Sequence, residues 1–173
     1  MTSLAQRPGP GEFAAYYANY VAHVPDGDVI ATLSRELQRT EALLGKLPAA
    51  KADFRYAPGK WSLKEVLGHV IDGEWIFTYR ALHFARGDRA PLPSMDQDLF
   101  MAGANFASMP LSALLAELRH LRAANTILFG SFGPDVLERR GVASGNEFSV
   151  RALPWIIAGH AMHHVGVIES RYL

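Results

Sequence analysis

His160 and His164 stand four residues apart in the segment Gly159-His160-Ala161-Met162-His163-His164. At about 100° per residue, that spacing puts two side chains about 40° apart around a helix, so both imidazoles look the same way. The same face carries Leu153, Ile156, Ile157, Val167 and Ile168, the side a helix buries. Every buried ring nitrogen needs a partner, and a divalent metal serves two rings at once. The alternative is a pair of hydrogen-bonded core histidines, drawn by chance from the seven in the chain. The zinc-protease pattern His-Glu-x-x-His is absent because Ala161 follows His160, so this helix carries no built-in general base.

A third ligand has to come from elsewhere, and His69 is the candidate. Gly73 follows it by one helical turn and lets a ligand or a neighbouring backbone come close. Three neutral imidazoles leave a metal with an open position, the pattern of catalytic rather than structural sites. His163 is an alternative to His164, being three residues from His160, and is otherwise a pocket residue. Asp72 is placed either to orient the His69 ring through its other nitrogen or as a solvated helix residue. Arg80 is placed to hold an anionic substrate or to form a surface salt bridge. Asp96 and Asp98 suggest an oxygen-rich cation site or simply a hydrated loop.

Four helical patterns have to position these residues. The first spans about 28–47, with Ile30, Leu33, Leu37, Thr40, Leu44 and Leu47 at steps of three and four; Asp26 or Asp28 caps it and Pro48 ends it. The second opens on the capping box Ser62-Leu63-Lys64-Glu65 and runs to Arg86, with Gly87 after it. The third begins near Pro110 and continues through Leu114, Leu118, Leu121 and Leu128 towards Phe132. The fourth follows Ser149, tolerates Pro154 in its first turn and reaches the C-terminus. A shorter amphipathic helix over 12–24 places Phe13, Tyr16, Tyr17 and Tyr20 over one end of the bundle.

No strand alternation survives beyond a few residues, so the chain reads as an all-α bundle. The link over 87–109, containing Pro91, Pro93 and Gly103, suits a crossover along the bundle. That makes helices two and three parallel and leaves helix four antiparallel to helix two. His69 then lies roughly 10 Å from the start of helix two, and His160 and His164 about 13 to 20 Å from the end of helix four, so the rings can share a level.

The chain has 173 residues, 49% hydrophobic and 20% charged, which is ordinary for one globular domain over 12–173 behind a flexible segment 1–11. Lys plus Arg balances Asp plus Glu at 17 each, which disfavours nucleic acid or an anionic membrane surface as a partner. No apolar run suits a membrane span, and the N-terminus does not read as a signal peptide, so a cytoplasmic location is expected. Cysteine is absent, which excludes disulfides, thiolate ligands and a cysteine nucleophile from this chain. Any thiol chemistry therefore has to use a small-molecule thiol.

The stretch Arg55-Tyr56-Ala57-Pro58-Gly59-Lys60-Trp61-Ser62-Leu63-Lys64-Glu65-Val66-Leu67-Gly68-His69 resembles the DinB-like superfamily of helical bundle proteins, including its YfiT branch. So do 81–88 and the ending at 159–164, and the resemblance covers about 12–173. It implies a four-helix bundle in up-down-down-up order, often a homodimer. It also implies a divalent metal, zinc or nickel, held by His69, His160 and His164. Two positions depart from the pattern: Trp75 and His83 stand where relatives often carry arginines.

Characterised relatives imply metal-assisted chemistry on a low-molecular-weight bacterial thiol, as in bacillithiol transfer or mycothiol-dependent isomerisation, or a metal-dependent hydrolase that activates water. The competing readings are a non-catalytic, stress-related metal- or ligand-binding module and a structural oligomer. Trp155, Met162, Gly159 and Gly166 lie on the face of helix four away from the histidines, and that face is the expected homodimer interface.

Overall fold

The computed structural model describes residues 3–173; Met1 and Thr2, the start of the expected flexible segment, lie outside the described residues. The N-terminal segment packs on the bundle from Leu4, whose carbonyl accepts the Val29 amide at 3.3 Å and whose side chain meets the core. The Arg7 guanidinium donates to the carbonyls of Val21 and Val24, pairs with Asp26 and lies over the Trp155 ring. In place of one helix over 12–24, the chain makes single 3-10 turns at Pro10–Glu12 and Ala15–Tyr17 and then α1 (Ala18–His23).

Asp28 caps α2 (Val29–Leu44): its side chain accepts the Ile30 amide at 2.9 Å. The helix stops before Leu47, and Pro48 starts a separate turn, α3 (Ala49–Ala52). The capping box of α4 (Leu63–Ala85) forms as expected, with the Glu65 amide donating to the Ser62 hydroxyl at 3.3 Å and the Ser62 amide to Glu65 at 2.6 Å. Gly87, at φ +82°, lets the chain leave the helix through a backbone conformation that costs other residues more.

The long link is not bare loop. It holds α5 (Gln97–Gly103), whose first turn is capped by Asp96 accepting the amides of Asp98 and Leu99. Asp96 is thus a helix cap. After Pro110 come α6 (Leu111–Gly130) and the turn α7 (Pro134–Leu137).

The all-α reading holds, and the short exception is β1 (Arg140–Ala143) with β2 (Asn146–Ser149), an antiparallel hairpin of four residues a side. Its turn uses Ser144 at φ +53° and Gly145 at φ +71°, the left-handed pair that two-residue hairpins require. The Leu92 amide bonds the Val142 carbonyl and so fastens the crossover to this hairpin. The last helix, α8 (Ala152–Arg171), follows directly.

Side-chain contacts fix the helix directions. The Tyr172 hydroxyl, at the end of α8, reaches the Trp61 carbonyl at the start of α4, so those two helices are antiparallel. Lys64 reaches Ala107, while Glu74 meets Arg122 and Asn125, so α4 and α6 run in parallel. Glu41 pairs with Arg119 while the Leu33 carbonyl meets Arg122, which makes α2 antiparallel to α6. The bundle is therefore up-down-down-up.

Two apolar cores result. One gathers Phe77, Phe84, Phe129, Phe148 and Trp155; the other gathers Leu63, Leu67, Leu118 and Ile168. α8 passes from the first into the second, and His160 and His164 fall at the seam.

Most of the expected interface face of α8 is used inside the protomer; of its four residues Gly166 has open space beside it. Trp155 is fully buried, and Met162 packs against the first core. A Cβ on Gly159 would overlap the Tyr20 carbonyl of α1. The pattern misled because the segment before α2 folds back onto α8 and covers it.

Candidate metal centre

The three histidines expected to converge do so. His69 from α4 and His160 and His164 from α8 each offer a ring nitrogen, and these nitrogens all lie within 4.8 Å of one another. The closest approach is Nε2 of His69 to Nε2 of His160, at 3.1 Å. A tetrahedral ion with nitrogen ligands at about 2.05 Å separates neighbouring ligands by about 3.3 Å, so the His69–His160 spacing suits one small divalent cation, and the wider spread of the triad closes by a small ring movement on binding. The donor set also fits: three uncharged imidazoles, all nitrogen, with no competing lysine or arginine among the triad.

Packing holds the rings in place. Trp61 lies against His69 with centroids 5.0 Å apart, and Tyr20 meets the edge of His160 at 5.4 Å. Phe77 is 6.1 Å from His160 on the other side. Gly73 has the close approach its type suggested, and the approaching group is the His160 ring: a Cβ there would lie 2.8 Å from Cε1.

Burial also keeps the rings neutral. His69 is pushed below the usual imidazole range by loss of solvent. His160 is pushed well below it, by burial first and then by the neighbouring rings of His164, His69 and His163. His164 is lowered to about 3 by burial, with His69 and His163 adding repulsion. A base that resists protonation keeps its lone pair for a metal.

The other expected residues separate cleanly. His163 is outside the group of three converging nitrogens: its ring meets that of His164 at 5.0 Å and those of Tyr20 and His23 at 5.4 and 6.1 Å. Asp72 makes no hydrogen bond to His69 among the described residues; burial and the Glu117 carboxylate of α6 raise its pKa. Arg80 is not a surface salt bridge but is 3% exposed, bonded to Pro93 and Ser144. Trp75 is exposed and donates to Glu117, while His83 bonds the Ala90 carbonyl.

A cleft of about 320 Å³ opens from the triad and is lined further by Tyr16, Tyr17, Tyr20, Phe77, Arg80, Met95 and Ser144. The chain matches the DinB superfamily over residues 32–168. It belongs to that superfamily.

Among solved structures, this DinB-superfamily chain is similar to YfiT from Bacillus subtilis, described as a probable metal-dependent hydrolase with an unusual four-helix bundle topology. The two share 15% identity at a TM-score of 0.72, covering 95% of this chain and 90% of that one. It is also similar to the mycothiol-dependent maleylpyruvate isomerase, at 12% identity and a TM-score of 0.67, covering 84% of this chain and 61% of that one. At such identities the likeness is one of fold. No curated protein matches the chain in sequence.

Sequence reasoning about this DinB-superfamily chain missed Ser144 and Met95, which reach the cleft from the hairpin and the crossover. For Ser144 a signal existed: Ser144-Gly145 between Val142-Ala143 and Glu147-Phe148 is a hairpin turn pattern. Met95 gave none, because its position depends on how the crossover lies across α4.

Proposed function

We propose that this protein is a metal-dependent enzyme that acts on a small molecule, with His69, His160 and His164 as ligands for zinc or nickel. The observation that carries the reading is the convergence of three neutral imidazoles at the floor of an open cleft. When bound there, a divalent cation supplies an open coordination position that favours the ionised form of a thiol or a water.

The residues of the cleft favour a thiol over water. No Asp or Glu is among those lining it to take a proton from water; the carboxylate that lines a cleft bordering His164 is Asp98, in the second cleft. A thiol, with a pKa of about 8.5, needs far less help to ionise than water at about 15.7. The chain has no cysteine, so the thiol is a co-substrate of low molecular weight. Tyr20 and Phe77 enclose His160 and narrow the approach of solvent from either side. His164 also borders a second cleft lined by Tyr56, Lys60 and Trp61, which leaves room for two substrates to approach one centre.

The thiol-transferase reading matches the thiol dependence of one structural neighbour, and the hydrolase reading the description of the other. Among the described residues no helix is long and apolar enough to cross a membrane, and a cytoplasmic location, where such thiols are reduced, fits this chemistry. A homodimer stays part of the proposal, with an interface elsewhere than on the Trp155 face. The test is turnover by zinc- or nickel-loaded protein with a panel of electrophiles, each offered with bacterial thiols or with water alone. Thiol-dependent turnover lost in His160→Ala supports the reading. Metal-loaded protein that turns over nothing supports the non-catalytic binding module instead.

A further inference from the structure

Arg80 is a buried cation without a counter-ion. Its side chain sits in the wall of the histidine cleft, 3% exposed, 5.7 Å from the Phe77 ring. A single nitrogen, Nη2, makes both of its hydrogen bonds, to the Pro93 carbonyl at 3.2 Å and the Ser144 hydroxyl at 3.0 Å. Among the described residues no acceptor meets Nε or Nη1, and no carboxylate pairs with the guanidinium. Arginine offers five N–H donors in a planar fork. Nε and Nη1 are not among the buried atoms left without a partner, so they open to space, and a largely buried guanidinium with free donors in a cleft wall suits an anionic ligand.

Its position along α4 sets a length. Gly73 touches His160 and Arg80 follows seven residues later on the same face, about 10 Å along the axis. The arginine side chain leans back towards the helix N-terminus, over this span. Phe77 lies between the two ends and presents an apolar wall.

We infer that the cleft takes a small organic anion whose carboxylate is held by Arg80 while its reacting end lies at the three histidines. The Pro93 and Ser144 bonds are the positioning part of the device: they use one nitrogen to fix the fork and leave the others facing the ligand. The inference rests on the metal-centre reading and names the substrate class for that same site.

Cobalt-loaded protein tests it, because a thiolate that joins the centre gives a new absorption band. Mercaptohexanoate and mercaptohexanol are matched probes that differ in the distal charge. The acid is expected to bind at least about tenfold tighter than the alcohol, as a charge-assisted bidentate contact warrants. In Arg80→Gln the advantage of the acid over the alcohol is lost; Arg80→Lys keeps part of it. Ser144→Ala, which removes a positioning bond but no charge, keeps most of the preference for the acid even if its melting point falls. Equal binding of acid and alcohol to the native protein overturns the assignment of Arg80 and leaves the metal centre standing. No new band with either probe overturns thiol binding and this inference with it, and failure to take up cobalt overturns the metal centre itself.

Discussion

Nε2 of His69 and Nε2 of His160 lie 3.1 Å apart although 91 residues separate them in the chain. Left to themselves, two neutral rings satisfy each other there only if one gives up its acceptor role. A shared cation takes a lone pair from each and needs no such compromise. His164 lies close to both, with centroids 4.8 and 4.5 Å away.

Metal binding is expected to follow the triad and ignore its neighbour. His69→Ala and His160→Ala lose stoichiometric zinc, and added zinc no longer raises their melting temperature. His163→Ala, whose ring faces Tyr20 and His23, retains both. Elemental analysis with thermal melts in zinc and in chelator checks this, and zinc loss in His163→Ala would refute the ligand assignment.

Gly73→Ala separates stability from metal affinity. Alanine gains about 1 kcal/mol of helix propensity over glycine. Its Cβ would lie 2.8 Å from Cε1 of His160 and displace that ring. The variant is expected to fold with near-native stability but bind zinc at least about tenfold more weakly, a loss of the size that misdirecting a ligand brings. Calorimetric titration reads one effect and denaturant melts the other.

Two glycines of α8 predict opposite signs. A Cβ at Gly159 runs into the Tyr20 backbone, which cannot rotate away, so Gly159→Ala is expected to cost about 1–3 kcal/mol or more. Gly166 has nothing within 4 Å of that position, and Gly166→Ala is expected to gain about 0.5–1 kcal/mol. Urea unfolding of the pair decides it.

Arg122→Met should be severe. Arg122 Nε and Nη2 donate to the two Glu74 oxygens, each at 2.7 Å, and Nη1 donates to the Leu33 carbonyl, tying α6 to α4 and α2. Removing the arginine strands a buried carboxylate, at a cost of about 3–5 kcal/mol. Replacing both partners by apolar residues is expected to recover much of that loss, as a double-mutant cycle would show.

Acid should loosen the N-terminal clasp. Burial alone would raise the pKa of Glu12, but Arg151, the Gly9 amide and the Ser149 hydroxyl outweigh it and leave it below the ordinary 4.5. Burial likewise opposes, and Arg55 with Ser62 overcomes, a rise at Glu65. The unfolded chain therefore binds these protons first. The stabilisation is complete above pH 4.5 and is lost as pH falls through the lower folded values. Glu12→Gln should flatten that part of the stability-against-pH curve, and an unchanged curve would remove Glu12 from it.

Much of this was legible in the order of residues, and the physical reason is locality. Helix pitch alone places residues 160 and 164 on one face, and Ser62 with Glu65 marks the start of α4 because both partners of that cap lie within one turn. Asp28 caps α2 for the same reason. Locality also explains what was hidden. Whether Arg80 is a surface charge or a buried one depends on the crossover and the hairpin closing over it, through Pro93 and Ser144. Whether Trp155 is an interface or a core residue depends on Arg7 and α1 folding back. His163 and His164 have almost the same spacing from His160, and only the placement of α4 on one side and α1 on the other gives the first to Tyr20 and the second to His69. The sequence thus determined which side chains share a helix face, because backbone geometry sets that within a turn. The tertiary structure decided what each face meets, because that follows from contacts between segments tens of residues apart.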